Sequence, residues 1–363
     1  MITYVEWLLV ALTAFLVLLT AMPLMRWQIG AIRGPAFFRL QLFWVAGGVA
    51  VLAYLLPVRG EIALINGLIA AIQLGYIVKF TALWRRQSLD ADAELRADTA
   101  RHISILAANI KKSNRNYDVL IHLVDVHAPD ILLAIEVDSV WIDALKSALS
   151  DDYPHWVSVP EETGYGMAVI SKLALSETDV REVVTEGVPS VRTAVTLRAG
   201  GQVRLYVVHP EPPVFSHDTL GRDSEIAHIG LEAQQDPMPA IVTGDLNDVA
   251  WSRTTRVFQR LSGLLDPRVG RGFYNTFHAF HWWARWPLDH LFHDPQFRVL
   301  SIARLPKIGS DHFPMLFALA LADGPAQKGE VASADVEEKA EAREMIRKEQ
   351  DRERDPIGTD WED

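Results

Sequence analysis

The sequence predicts a mixed α/β sheet system with helices on its outer faces, preceded by a helical segment suited to a lipid bilayer. Two observations lead there. Three long apolar runs crowd the first 86 residues, and from Ile103 onward short apolar or alternating runs recur with helical patterns between them. The same split accounts for a positive mean hydropathy and a 49% hydrophobic share, both high for a wholly soluble protein of 363 residues.

The apolar runs are Trp7–Leu24, Leu40–Val58 and Ile62–Leu83. Each is about long enough to cross a hydrocarbon core of about 30 Å. Pro23 closes the first, Gly47-Gly48 interrupts the second, and Asn66 and Gln73 lie in the third. Small and polar residues of this kind suit helix–helix contact inside a bilayer. Trp7, Trp27, Trp44 and Trp84 lie mostly near run ends, as interfacial aromatics do. A cleaved signal peptide is not expected, because Glu6 stands where a basic region would and two further runs follow. Arg26, Arg33 and Arg39 precede the second run, and Lys79, Arg85 and Arg86 follow the third. The loop between those two runs offers only Arg59, so positive-inside counting puts the domain after the anchor in the cytoplasm.

The predicted organisation is a membrane anchor over 1–86, a polar linker or short helix over 87–100, a folded domain over 101–322 and a charged tail over 323–363. The tail reads as disordered or as a lone solvated helix, with Glu344 and Lys348 at favourable i,i+4 spacing. The formal net charge of −11 divides into +5 for the anchor, −7 for the tail and −9 for the domain. So acidic a domain lacks the electrostatics for a non-specific grip on nucleic acid. Without cysteine the chain has no disulfides, thiolate metal sites or cysteine nucleophile.

Within the domain, strand-like runs cover Ile103–Ala107, Ile131–Ile135, Gly166–Ile170, Val191–Leu197, Val203–Val208, Ala240–Val242, Phe297–Ile302 and Met315–Leu319. Helical patterns cover Tyr117–His127, Trp141–Leu149 and Arg253–Leu261. The informative feature is a series of polar residues, each expected just after an apolar run: Asn109, Glu136, His209, Asp245 with Asn247, Asp289, and Asp311 with His312. Strand ends converging on one edge hold such groups rigidly where loops expose them. Amide and carboxylate oxygens are hard ligands suited to Mg²⁺ or Mn²⁺, and a carboxylate–His pair can keep an imidazole protonated for phosphate contact.

Asn109, Glu136, the Gly-Asp-Leu-Asn run at 244–247, Asp289 and the Ser-Asp-His run at 310–312 resemble the endonuclease/exonuclease/phosphatase superfamily, the fold of DNase I. Tyr165-Gly-Met-Ala-Val-Ile-Ser171 is similar to its central strand motif. His209-Pro-Glu-Pro-Pro213, Arg222 and Trp251-Ser252 look like a bacterial, membrane-anchored branch that includes glycopeptide-resistance proteins. The resemblance implies a four-layer sandwich, two mixed sheets flanked by helices, held in a bacterial inner membrane by three spans. It implies that Glu136 is the principal metal ligand, with Asn109 and Asp311 beside it, and that Asp245 and Asn247 orient the attacking water. His312, paired with Asp289, would contact the scissile phosphate, and His209 would be the second catalytic imidazole.

Each of these residues has a plainer use. Asn109 could cap a turn, Glu136 could sit in a structural ion pair, His209 could be a core histidine, and Asp311-His312 a turn or cap. Arg192 and Arg222 could hold substrate phosphate or be surface charge; Tyr165 and Trp251 could line a site or merely pack. The aromatic stretch Phe277–Trp286 could dip into a bilayer interface or fill core. The expected activity is hydrolysis of a phosphate mono- or diester, with a lipid-linked substrate drawn from the bilayer. A membrane-tethered nuclease and a non-catalytic phospho-ligand sensor are the alternatives.

Overall fold

The computed structural model describes residues 2–56, 60–323 and 331–359. Arg59 and the end of the second apolar run lie outside them. Three helices are long and apolar enough to cross a membrane, Tyr4–Leu24, Gly30–Leu55 and Gly60–Phe80, with mean hydropathies of 2.3, 1.7 and 1.7. They comprise α1 (Ile2–Ala21), the short α2 (Gly30–Arg33) with a 3₁₀ turn (Gly34–Phe38), α3 (Arg39–Leu55) and α4 (Gly60–Ile77). Leu9, Leu16, Leu42, Val49, Ile62 and Ile69 pack between them. Polar residues stitch the bundle: Asn66 Nδ2 donates to Thr13 Oγ1 at 2.8 Å, Gln73 Nε2 to Thr20 Oγ1 at 2.9 Å, and Arg39 to Gln73 Oε1 at 2.9 Å. Where no water competes, such bonds fix which helix faces meet.

The stretch expected as a linker is stitched to the domain. After α5 (Ala93–Ala97), and with Ala91 N bonded to Val299 O, the chain enters β1 (His102–Asn109), α6 (Tyr117–His127), β2 (Ile131–Ile135) and α7 (Ser139–Leu149). Next come β3 (His155–Val159), β4 (Met167–Ser171), β5 (Leu175–Arg181), β6 (Ser190–Thr196) and β7 (Gln202–Val208). The remainder is α8 (Leu220–Gln235), β8 (Ala240–Asp245), α9 (Arg253–Ser262), β9 (Asp289–His293), β10 (Phe297–Arg304), β11 (Met315–Leu321) and α10 (Val336–Gln350).

Among the described residues the strands form two mixed sheets, ordered β10-β11-β1-β2-β4-β3 and β5-β6-β7-β8-β9. Alternation along β1 explains the packing. Ile103, Ile105 and Ala107 face the second sheet's Val191, Val203, Leu205 and Ile241, while Leu106 and Ala108 face Leu120, Val124, Trp141 and Leu145 of α6 and α7. The second sheet's outer face is covered by Ile226 and Ile229 of α8 and Phe258 of α9. The result is the expected four layers. Strands covered on both faces read as unbroken apolar runs, which is why the sequence reveals them.

Each sheet holds one parallel pair, β1–β2 in the first and β7–β8 in the second. Their four C-terminal ends share one rim and deliver Asn109, Glu136, His209 and Asp245. Two expectations need correction here. Asp289 opens β9 rather than following a strand, and Asp311-His312 precede β11. Both strands run antiparallel to a member of these pairs, so their beginnings reach the same rim; Asp289 is directly opposite Asp245.

The tail also differs from expectation. Helix α10 is not lone: one face packs on the domain while the other stays exposed. Ala342 and Ile346 pack with Ala227 and Leu261, and Arg260 Nε donates to Glu338 Oε2 at 2.9 Å. Beyond it Arg354 grips both oxygens of buried Glu211, at 2.6 and 2.7 Å. The sparse apolar residues of the tail escaped notice because they occupy a single helical face.

Candidate active site

Glu136, His209, Asp245, Asp311 and His312 of the rim line a cavity of about 530 Å³, with Asn109 and Asp289 behind them. Asn109 Nδ2 donates to Glu136 Oε1 at 2.6 Å and to Asp245 Oδ2 at 3.1 Å, linking the two sheets. Glu136 and Asn247 hold left-handed backbone, φ 64° and 53°. Such a conformation costs a non-glycine residue about 1–3 kcal/mol and recurs where surrounding structure dictates a side chain's direction. Gly244 permits the close approach behind them, since a Cβ there would meet the Val208 carbonyl oxygen at 2.0 Å. Asp245 Oδ1 accepts from Asn247 N at 2.9 Å, Asn247 Nδ2 donates to Pro210 O at 2.9 Å, and Arg222 donates to the Asn247 carbonyl at 3.0 Å.

His312 lies between two carboxylates. Its Nδ1 is 2.8 Å from Asp289 Oδ2 and its Nε2 3.5 Å from Asp245 Oδ2. Burial opposes its charge, but Asp289 and Asp245 outweigh that and push it up to about 10. His209 behaves oppositely. Burial pushes it down to about 4, leaving a neutral ring tilted against Tyr165 at 5.6 Å. Its Nε2 is 4.0 Å from Glu136, too far for a hydrogen bond, and its Nδ1 is buried without a protein partner.

Glu136 is the electrostatic centre. Burial pushes it up to about 7; Asn109 and His312 oppose the rise, and Asp311 and Asp245 add to it. A desolvated carboxylate crowded by two others is short of positive charge, and its hard oxygens suit a divalent cation. Asp245, Asp289 and His312 also come close enough to hold an ion, their ligand atoms lying within 4.8 Å of one another. Within that trio the imidazole already contacts both carboxylates, Asp289 at 2.8 Å and Asp245 at 3.5 Å, the arrangement of an ion-paired dyad with a neighbour.

The remaining sequence candidates separate. Asp311 faces Lys111 Nζ at 3.2 Å at the cavity wall. Arg222 lines the cavity but is ion-paired with Asp223 at 2.9 Å, and Tyr165 donates its hydroxyl to the Ile357 carbonyl of the tail. Arg192 does not reach the site. It pairs with Glu232 at 3.2 Å and Asp236 at 3.1 Å near α8. Trp251 is also no part of the cavity: its indole donates to Ala36 O at 2.7 Å, docking the N-terminal helical segment on the domain. The aromatic stretch divides. Phe277 and Trp286 line the cavity, with the Phe277 ring 4.9 Å from His312, while Phe280, Trp282 and Trp283 are exposed.

Sequence reasoning missed the cavity walls contributed by the N-terminal helical segment, at Gly30, Arg33, Gly34, Phe37 and Phe38, and by the tail at Ile357–Thr359. Lys111-Lys112, two residues past Asn109, carried a readable signal.

Hard-oxygen ligands and a carboxylate-bound imidazole at the rim of paired mixed sheets define the DNase I-like α/β sandwich. The chain belongs to the endonuclease/exonuclease/phosphatase family, whose sequence pattern matches residues 84–312. That family consists generally of metal-dependent phosphoester hydrolases and includes phosphodiesterases, nucleases and phosphatases. The fold is similar to that of the human Nocturnin catalytic domain bound to sulfate, at 16% identity, 61% of this chain, 95% of that one and a TM-score of 0.51. It is similar also to D. rerio TDP2 complexed with a single-strand DNA product, at 15% identity, 60% and 98% coverage and a TM-score of 0.50. No curated protein matches the chain.

Proposed function

We propose that this protein is a membrane-anchored phosphoesterase that hydrolyses a lipid-linked phosphate ester with water activated by Mg²⁺ or Mn²⁺. The carrying observation is one cavity whose floor holds Glu136, Asp245, Asn247, Asp311 and His312 and whose apolar wall includes Phe37 and Phe38 of the anchor. Glu136, Asn109 and Asp311 would hold the cation, which supplies positive charge to the phosphoryl oxygens and activates water. Asp245 and Asn247 orient that water. Protonated His312, steadied by Asp289, faces the scissile phosphate as acid or charge stabiliser, and neutral His209 supplies a second hydrogen-bonding imidazole. No side chain need form a covalent intermediate.

Nucleic acid is the weaker substrate class. The cavity's Arg222 and Arg33 both turn to Asp223, and Lys111 to Asp311, which leaves little cationic surface for a polymer of phosphates. The test is a substrate panel on the full chain in lipid nanodiscs: long-chain phosphate mono- and diesters, single-stranded DNA and RNA, with Mg²⁺ or Mn²⁺ and then EDTA. Metal-dependent turnover of the lipid esters is expected, with Glu136→Gln inactive. Preferential cleavage of DNA or RNA would overturn the substrate assignment. No turnover of any ester, with a phosphorylated ligand bound, would favour a sensor.

A further inference from the structure

The wall that the anchor lends to the cavity is built into the domain rather than laid against it. Gly30 N donates to His217 O at 2.8 Å, and Thr219 N donates to Gln28 O at 3.0 Å. A Cβ at Gly30 would meet the Val214 carbonyl oxygen at 1.8 Å, so the two backbones touch. Arg33 lies 3.7 Å from buried Asp223. The Phe37 and Phe38 rings stand edge-on to Trp286 at 6.2 and 5.2 Å, and Gln41 Nε2 donates to Trp283 O at 3.1 Å. These contacts fix one apolar surface, made of Phe37, Phe38, Val214, Phe215, Phe277 and Trp286, which adjoins the polar floor where the Phe277 ring meets His312 at 4.9 Å.

The segments forming that surface also present aromatic side chains outward. Phe215 is 61% exposed, Trp282 82% and Trp283 60%, and Trp27 on the approach to Gly30 is 62% exposed. Residues of this type, continuous with three candidate spans, belong at the headgroup level of a bilayer. A cavity lined by carboxylates and histidines and, adjoining them, by a cluster of aromatic rings matches an amphiphile, not a polyanion.

We propose that the segment Gly30–Phe38 forms, with Phe215 and Trp286, a hydrocarbon-chain subsite that receives the first methylenes of a phosphate-bearing lipid from the same leaflet. The proposal rests on the phosphoesterase reading for the position of the phosphate and goes beyond it in making the anchor a determinant of specificity. Catalytic groups are then supplied by the domain and chain-length selection by residues before position 39. For short soluble esters that bind from water, affinity should rise with chain length by up to about fourfold per buried methylene until the subsite is filled, then level off.

The test uses the full chain in nanodiscs of zwitterionic lipid and two readouts. Alkyl phosphonates of increasing length, one carrying a diazirine on its first methylenes, are bound and photolysed. Labelling is expected in 30–38, 212–215 and 277–286, and should be displaced by unlabelled long-chain phosphonate but not by inorganic phosphate or the corresponding alcohol. Turnover is then compared for Phe37→Ala/Phe38→Ala and for Phe38→Leu, on a long-chain phosphate ester and a short soluble one. The double variant should raise KM at least tenfold for the long ester and stay within about twofold for the short one, with Phe38→Leu intermediate. Labelling confined to the spans, or equal losses on both esters, would overturn the proposal. Displaceable labelling of 30–38 without cleavage of any ester would retain the chain subsite and overturn the phosphoesterase reading instead.

Discussion

Asp289 and His290 are neighbours on β9, and they point into two buried polar clusters of opposite character. On one face Asp289 and Asp245 surround His312 with negative charge and push its imidazole up to about 10. On the other, burial and the adjacent Arg268 guanidinium push His290 well below its ordinary value. Its Nδ1 lies 2.6 Å from Arg268 and its Nε2 2.8 Å from the Asp248 carbonyl, while Arg268 also pairs with Asp266 at 2.8 Å. Both clusters contain carboxylate, imidazole and fully buried side chains. What differs is charge balance and access. The Arg268 cluster is balanced in charge and sealed from the cavity, touching the other only where Arg268 donates to the Asp289 carbonyl at 3.2 Å, whereas the His312 cluster adjoins a crowded Glu136 and a cavity. Closed networks hold a fold, and charge-imbalanced networks beside space await a ligand.

The largest expected effect comes from opening the contrast on its catalytic side. Asp289→Asn removes the charge that keeps His312 protonated, and kcat should fall by about 10²–10⁴-fold. Thermal stability should move little, since the amide can still accept from Nδ1; steady-state kinetics and a melting curve check both, and a loss under threefold would dissolve the distinction.

Breaking the closed side should invert the pattern. Arg268→Met strands Asp266 in the interior and should cost about 3–5 kcal/mol of stability. The remaining folded molecules should keep kcat within about twofold, measured by denaturant titration alongside activity per folded protein. Adding Asp266→Asn should recover part of the loss.

A smaller effect concerns a histidine remote from the cavity. His293 is buried, with Nε2 2.8 Å from Ser88 Oγ, and burial holds it down from 6.5 to about 4. The unfolded chain therefore binds this proton more tightly, so its contribution is whole above pH 6.5 and is lost as pH falls toward 4. That loss amounts to about 3 kcal/mol. Melting temperatures across this window should fall less steeply in His293→Asn than in the parent chain.

Least of all should change with Arg192→Gln. Arg192 pairs with Glu232 and Asp236 away from the cavity, so kcat/KM should stay within about twofold and stability should drop by about 1 kcal/mol or less. A large rise in KM would return Arg192 to the substrate.

Much of the architecture was legible because burial on both faces writes continuous apolar runs. The strands and long helix that escaped were the exposed edge strand β5, the half-buried edge strand β3, the buried but polar β9, and α8, whose Arg222, Asp223, Ser224 and Glu225 are buried despite their polarity. Polar side chains buried by pairing leave no periodic signature. The rim residues could be read from their positions beside apolar runs, even where, as at Asp289 and His312, the strand begins rather than ends there.

By itself the sequence determined the apolar runs, the strands covered by apolar side chains and the polar residues of the rim, because each follows from local hydrophobic pattern and residue chemistry. Only the tertiary structure decided that Trp251 meets the N-terminal helical segment, that Arg192 pairs with Glu232 of α8, that His290 lies against Arg268 while His312 lies between two carboxylates, and that Phe37 and Phe38 wall the cavity. Those outcomes depend on which groups distant in sequence come within a few ångströms, where desolvation and partner charge, rather than residue type, set a side chain's behaviour.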